Sequence, residues 1–239
     1  MNQIERVIEA IEKIAAPRSV VVLTGAGISA ESGIPTFRGA GGLWKSLRPE
    51  ELATPEAFAR DPRLVWEWYE WRRELIRSAA PNDAHDALAW FERETGRACA
   101  FTMVTQNVDG LHARAGSRRL IEIHGNIFRA RCTREGTTRE FPDSPNELPP
   151  RCECGSLLRP DVVWFGEPIE LIADAMSEAS AAQVMIVIGT SGTVYPAAGL
   201  VSLVRGGLTI EINPDETPLS DAFSASIRSS ASLSARRSA

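Results

Sequence analysis

Ser19-Val20-Val21-Val22-Leu23-Thr24-Gly25-Ala26-Gly27-Ile28-Ser29-Ala30 is the stretch on which the fold turns. Residues 19–23 form a short apolar run with no alternation. A strand with one wet face alternates, whereas an unbroken run marks a strand covered on both faces of a parallel sheet. The turn Gly25-x-Gly27-x-x-Ala30 follows at once, in the pattern of a dinucleotide phosphate loop. There the first glycine permits a tight turn and the second lets the backbone approach a pyrophosphate. The small third residue lets the next helix pack close to the strand. Glycine-rich turns are common in α/β proteins, so the pattern is weak by itself.

Outward from this stretch, strand and helix alternate. Apolar runs at residues 100–104, 120–123, 184–188 and 208–212 read as further strands. Helices are expected over 82–95, 169–180 and 196–205. Another is expected over 2–15, where Ile4, Val7, Ile8, Ile11 and Ile14 share a face and Pro17 ends the run. The alternation predicts an α/β fold with a Rossmann-like doubly wound parallel sheet. Two stretches break the rhythm. Residues 40–97 are helical and rich in aromatics, while residues 130–160 hold three cysteines, several prolines and little periodicity. The expected organisation is a Rossmann-like domain from 1–39, 98–129 and 161–239. A smaller lobe combines the helical insertion 40–97 with a degenerate zinc-type insertion 130–160.

Bulk composition narrows the function classes. Of 239 residues, 44% are hydrophobic and 24% charged, ordinary for a globular chain able to bury a large core. A net charge of −5 argues against non-specific nucleic-acid binding, which needs basic surface to displace counterions. No direct nucleic-acid partner is expected. No apolar run reaches the length of a membrane-spanning helix, and Met1 to Arg6 lacks the order of a secretory signal. The expected setting is the cytoplasm, with no membrane.

An ordinary dinucleotide fold carries a ribose-binding acid roughly 20 residues after its glycines. Here that region reads Phe37-Arg38-Gly39-Ala40-Gly41-Gly42, so a bound NAD is expected to sit differently from one in a standard dehydrogenase. A wider likeness is carried by longer blocks. Gly25 to Gly39 resembles the first signature of the sirtuins, the NAD-dependent protein deacylases. Thr105-Gln106-Asn107-Val108-Asp109-Gly110-Leu111-His112 resembles their second signature, and His124-Gly125 their catalytic histidine block. Val163-Trp164-Phe165-Gly166-Glu167 resembles the substrate strand. Gly189 to Pro196 and Ile212-Asn213 resemble the late NAD-contacting blocks. The likeness spans roughly residues 1–223, and several long motifs in order are far more specific than any one of them.

The resemblance implies NAD+ as co-substrate and acyl-lysine proteins or peptides as partners. Its implied products are nicotinamide, free lysine and an O-acyl-ADP-ribose. It implies His124 as the base, and Gly25, Ala26, Gly27, Ala30, Phe37, Arg38, Trp44, Gln106, Asn107, Val108, Asp109, Gly189, Thr190, Ser191 and Asn213 against NAD. Val163, Phe165, Gly166 and Glu167 would line the peptide.

The residues themselves support some of this. Imidazole titrates near neutral pH, and His124 follows a buried strand, at the end of which ligands bind in open α/β sheets. A capping or core histidine is the plainer alternative. His85 and His112 read as hydrogen-bonded structural groups, although a direct role for His112 stays open. Gln106, Asn107 and Asp109 suit hydrogen bonding to NAD, or else an Asx turn capping the next helix. Arg38 suits a phosphate or ribose, or a solvated loop. Tyr69 and Arg72, three apart, share a helix face, where a guanidinium fork and a phenol together would bind a carboxylate. Their plainer reading is an aromatic core stripe beside solvated arginines. Tyr-x-x-Arg here resembles the class III sirtuins, which remove succinyl, malonyl or glutaryl groups, with deacetylation as a second activity.

The cysteines depart from the family. Sirtuins carry two Cys-x-x-Cys knuckles for structural zinc. Here Glu135 stands in for the second cysteine after Cys132, and the other knuckle shortens to Cys152-Glu153-Cys154. Cys132, Cys152 and Cys154 remain as zinc ligands, with Glu135 as an oxygen donor, and a metal-free lobe is the alternative. Cys99 reads as core. The Ser/Ala/Arg-rich tail from Ser224 is expected to fray, which would weaken the adenine side. Two further readings stay open: an idle NAD or ADP-ribose binding module, and an NAD glycohydrolase or ADP-ribosyltransferase on the same scaffold.

Overall fold

The computed structural model describes residues 17–36, 49–95, 99–142 and 147–232. The helix expected over 2–15, and Phe37, Arg38 and Trp44, lie outside the described residues. The strands expected from the apolar runs are present as β1 (Ser19–Thr24), β2 (Ala100–Thr105), β3 (Leu120–Glu122), β7 (Val184–Ile188) and β8 (Leu208–Ile212). They form one parallel sheet in the order β3-β2-β1-β7-β8-β9, where β9 is Ala225–Ile227. This is the doubly wound Rossmann order, with the direction of winding reversing between β1 and β7.

The sheet explains the apolar run. Val20 and Val22 pack on one face with Ala84, Leu88, Phe101 and Met103; Val21 and Leu23 pack on the other with Ala175, Ala179 and Leu200. Successive side chains of a strand point to opposite faces, so a strand sandwiched by helices needs apolar residues at every position. The covering helices are α4 (Asp83–Thr95) and α5 (Ile172–Ala181). Residues 197–203 form a 3-10 helix where an α-helix is expected. Cys99 is half-buried at the margin of the first face.

The smaller lobe has its own core. Between the sheet strands β1 and β2 come α1 (Pro49–Leu52), α2 (Pro55–Arg60) and α3 (Pro62–Ser78). Thr54 caps α2 through Ala57 N–H, and Asp61 caps α3 through Leu64 N–H, each with proline at the first helical position. Trp66, Trp68 and Tyr69 of α3 are wholly buried against a three-stranded antiparallel sheet. That sheet is ordered β5-β4-β6, from β4 (Gly125–Cys132), β5 (Thr138–Glu140) and β6 (Leu158–Val162). The expected domain boundaries at 129/130 and 160/161 fall inside β4 and β6. The apolar alternation is shifted in β4 by an irregularity between Asn126 and Ala130, and interrupted in β6 by buried Asp161, which pairs with Arg129 and Arg131.

The expectation for the tail is corrected over 224–232, while residues 233–239 lie outside the described residues. Residues 225–227 do not fray but complete the sheet as β9. Ser224 and Ser226 hydrogen-bond Thr209 and Glu211, and Arg228 pairs with the same buried Glu211. Ile227 joins the core of the first face, and partner-specific hydrogen bonds, which composition does not register, hold the polar residues around it.

Candidate functional site

The sequence-selected residues that follow strands gather at one end of the large sheet. Gly25 follows β1, Gln106 follows β2, His124 lies two residues past β3, Gly189 follows β7 and Asn213 follows β8. Each connecting loop is tied to its neighbour. Gln106 N–H donates to Thr24 O, Gly25 N–H to Ile188 O, Gly189 N–H to Ile212 O, and Asn213 N–H to Ile227 O. Gly27 N–H donates to Gly189 O at 2.8 Å. The reversal between β1 and β7 therefore carries two loops in direct backbone contact.

That contact is what the glycines serve. A Cβ on Gly25 would lie 2.9 Å from Gly189 O, and one on Gly27 would lie 2.7 Å from the same atom. Gly25 has φ −128°, which any residue adopts, so the tight-turn argument does not explain it. Gly189 has φ +62° and needs glycine twice over. Residues 26–32 form a 3-10 helix, and Ala30 is exposed on it rather than pressed against the strand. Ala26 is half-buried, and Thr190 and Asn213 are joined by an Asn213 Nδ2 hydrogen bond to Thr190 O at 2.9 Å. Ser191 is exposed and bonds Thr193.

Behind these loops lies a buried polar network. Asn107 Nδ2 donates to Gly25 O and to Ser29 Oγ, and Ser29 Oγ donates to Asp109 Oδ2 at 2.7 Å. Asp109 Oδ1 accepts from Leu111 N–H, and Asn107 N–H donates to Thr105 Oγ1. Asp109 thus makes an Asx-type turn bond, the Asn107 turn is held by the Thr105 hydroxyl, and both side chains reach across to the glycine loop. Val108 is buried, and its carbonyl accepts from Ile127 N–H. His112 bonds Thr24 Oγ1 at 2.9 Å, and His85 bonds Asn82 N–H. Burial, with the His85 ring beside it, pushes His112 down to about 3, so it is a neutral structural ring. Ser29, which sequence reasoning passed over, joins Asn107 to Asp109; its place in the glycine signature was the available signal.

His124 is half-buried, and its Nδ1 lies 3.0 Å from Gln106 O. A carbonyl only accepts, so Nδ1 carries the hydrogen and Nε2 holds the lone pair. Burial lowers its pKa below the ordinary imidazole value, against the opposing pull of the Gln106 carbonyl. The ring is therefore neutral at pH 7, with Nε2 ready to take a proton. Gly125, in the left-handed region at φ +81°, turns the chain directly into β4 with no room for a side chain against Asp161 O.

His124 also touches the next segment. Val163 N–H donates to His124 O at 2.9 Å, and Phe165 N–H donates to Ala53 O at 2.9 Å. Phe165 is 52% exposed, and Gly166 beside it is exposed with φ +86°. Glu167 points inward. Arg159 grips both its oxygens, and Oε2 accepts from Trp164 N–H. Burial, the largest single influence, would raise the Glu167 carboxyl, but the Arg159 and Trp164 hydrogen bonds with the charges of Arg159 and Arg131 together outweigh it and the group ends below its usual range. Its place is as an anchor of the 163–167 turn. Tyr69 is wholly buried, and its hydroxyl accepts from Trp164 Nε1 at 2.9 Å. Half-buried Arg72 holds its guanidinium 5.0 Å from the Trp68 ring centre and 5.9 Å from that of Tyr69, within electrostatic reach of Asp109. Trp164 and Arg159 were not singled out from sequence, although Trp164 sits inside the motif quoted for its neighbours.

In the small lobe, donor atoms of Cys132, Glu135, Cys152 and Cys154 all lie within 4.8 Å of one another. Cys132 Sγ and Cys154 Sγ are 3.5 Å apart, and Cys152 Sγ is 3.8 Å from Glu135 Oε2. Zinc–sulfur bonds of about 2.3 Å in a tetrahedron put sulfurs about 3.8 Å apart. Glu135 N–H also donates to Cys132 Sγ, and the Ser156 hydroxyl brings the Cys154 thiol down to about 7. Three thiolates and a carboxylate fit a structural zinc ion. The cluster lies in the small lobe, away from the strand ends that carry His124.

An open parallel sheet with loops converging at its point of reversal, and a neutral histidine held by tautomer, defines a nucleotide-binding type of α/β protein with a proton acceptor at its site. Residues 25–196 match the Sir2 family. An NAD-dependent protein deacylase of Aquifex aeolicus is 56% identical over 207 residues, 84% of this chain and 85% of that protein. NAD-dependent protein deacylase 1 of Archaeoglobus fulgidus is 53% identical over 227 residues, 92% and 91% of the two chains. A crystal structure of a Sir2 homolog–NAD complex superposes with TM-score 0.88 at 50% identity, covering 98% of this chain and 91% of that one. A Sir2–p53 peptide–NAD+ structure superposes with TM-score 0.84 at 35% identity over 99% and 97%. This chain belongs to the Sir2 family.

Proposed function

We propose that this chain is an NAD-dependent protein-lysine deacylase that prefers acidic acyl groups such as succinyl and malonyl and also removes acetyl. The observation that carries the reading is the His124 tautomer in a chain of the Sir2 family: Nδ1 is committed to Gln106 O, and Nε2 is left as a base. NAD+, the co-substrate, supplies the ribose to which the acyl group passes and releases nicotinamide. His124 Nε2 takes the proton of a ribose hydroxyl. The loops at Gly25–Gly27, Gln106–Asp109, Gly189–Ser191 and Asn213 hold NAD, with Ser29 keeping Asn107 and Asp109 in place.

The exposed backbone around Phe165 and Gly166 receives the peptide in extended form, as a strand added to an edge. Tyr69 and Arg72, adjacent on one face of α3, receive the acyl carboxylate. The same reading puts the protein in the cytoplasm, where a thiol cluster stays reduced, without a nucleic-acid partner. Among the described residues, no helix is long and apolar enough to cross a membrane.

The test is nicotinamide release from NAD+ by purified protein with succinyl-lysine, acetyl-lysine or no peptide. Peptide-dependent release supports deacylation, release without peptide means glycohydrolysis, and no release means a binding module. Arg72→Met should lower desuccinylation at least tenfold more than deacetylation, about 1.4 kcal/mol of discrimination; equal losses would refute the acyl preference.

A further inference from the structure

Trp164 lies one residue from the backbone contact with His124 and reaches the opposite way, into the core of α3. It is 3% exposed, and its indole Nε1–H donates to Tyr69 Oη at 2.9 Å. Its ring lies 5.3 Å from that of Phe58, and the Arg159 guanidinium sits 3.4 Å from the ring centre. Arg159 in turn grips Glu167, whose Oε2 accepts from Trp164 N–H. The backbone of Trp164 is thus held within 159–167 by Glu167 and Arg159, and its ring by Arg159, Phe58 and Tyr69.

From this geometry we infer that Trp164 is a specificity-positioning residue, which orients the Tyr69 hydroxyl as a donor towards an acyl carboxylate. This rests on the acidic-acyl reading above. The physical argument is one of donor and acceptor counts. An indole N–H can only donate, so Tyr69 Oη must accept there. The single phenolic proton is then turned away from Trp164 and is left to donate elsewhere. Burial raises the phenol above its ordinary pKa, so that proton is retained at neutral pH. The neighbouring guanidinium of Arg72 also only donates. From these two side chains an acyl tip therefore meets donors, which suits a carboxylate and offers nothing to a methyl group. Tyr69 is closed off from solvent, so a hydrogen bond formed there is stronger than on a surface. Trp164 acts through Tyr69 and does not itself touch the acyl group.

The experiment compares the ratio of desuccinylation to deacetylation efficiency in wild type, Trp164→Phe, Tyr69→Phe, the double variant and Arg72→Met. Phenylalanine keeps a smaller ring against Arg159 and Phe58 and removes the donor, and the melting temperature reads the packing lost with it. Trp164→Phe should lower the ratio about tenfold, through KM for the succinyl peptide. The double variant should be no worse than Tyr69→Phe, because the two residues act in series. Equal loss of both activities in Trp164→Phe, or additive losses in the double variant, overturns the inference while leaving the acyl reading intact. A wild type with no succinyl preference, insensitive to Arg72→Met, instead overturns the acyl reading itself. Thermal melting of each variant separates loss of fold from loss of preference.

Discussion

His124 shows how one hydrogen bond sets a residue's chemistry. The Gln106 carbonyl selects the tautomer, and burial keeps the ring neutral. Because burial lowers the pKa, the base form persists below the ordinary imidazole value. The acid limb of kcat/KM should therefore have its midpoint below about 6.5; a limb centred above 7 would contradict this. His124→Ala should cut turnover by on the order of 10²–10⁴-fold with the melting temperature nearly unchanged, read by nicotinamide release and circular dichroism. The sequence placed this histidine just past a strand, but a capping histidine has the same address. The bond to Gln106 O, which fixes the tautomer, is visible only in the structure. Tyr69 and Arg72 repeat the point: their helical spacing was legible, whereas the Trp164 hydrogen bond spans 95 positions of chain and leaves no local pattern.

At the scale of elements, the β1 and β7 loops and the cysteine knuckles carry the strongest constraints. In Gly189→Ala the new Cβ would meet Ile28 N at 2.5 Å in a left-handed backbone, forcing the two loops apart. The expected cost is roughly 1–3 kcal/mol, seen as a fall of several degrees in the melting temperature, together with weaker NAD binding by calorimetry. The glycine pattern announced a tight approach, yet the approaching partner is another loop, which no local motif specifies. For the knuckles, Glu135 is the fourth corner of the donor set. Glu135→Ala should lose zinc to a chelator faster than wild type, and Glu135→Cys more slowly. Cobalt-substituted Glu135→Cys should show a stronger sulfur-to-metal absorption than wild type. Identical zinc retention and spectra in all three would remove Glu135 from the site. The shortened Cys-x-Cys spacing left this fit undecided in sequence, because the hairpin at Gly155 that brings its thiols round is a matter of backbone conformation.

For the whole molecule, the strand that closes the sheet sets stability. Truncation after Phe223 would strip β9 from β8 and take Ser226 and Arg228 from Glu211, which is 2% exposed. Leaving a buried carboxylate short of its cation costs about 3–5 kcal/mol, and the bare β8 edge invites association. Urea unfolding and size-exclusion chromatography should show a lower midpoint and aggregation; an unchanged midpoint would make β9 dispensable. The sequence by itself determined the α/β class, the five apolar strands and the glycine loop that follows the first of them, because a buried parallel strand and a glycine-rich turn are written in adjacent residues. Tertiary structure alone decided what depends on partners remote in the chain. Those are the order of the strands, the tautomer of His124, the inward turn of Glu167, the rescue of a polar tail as β9, and the convergence of Glu135 with three thiols. Local pattern records what a residue can do, whereas hydrogen bonds and close backbone approaches depend on which distant residue the fold sets beside it.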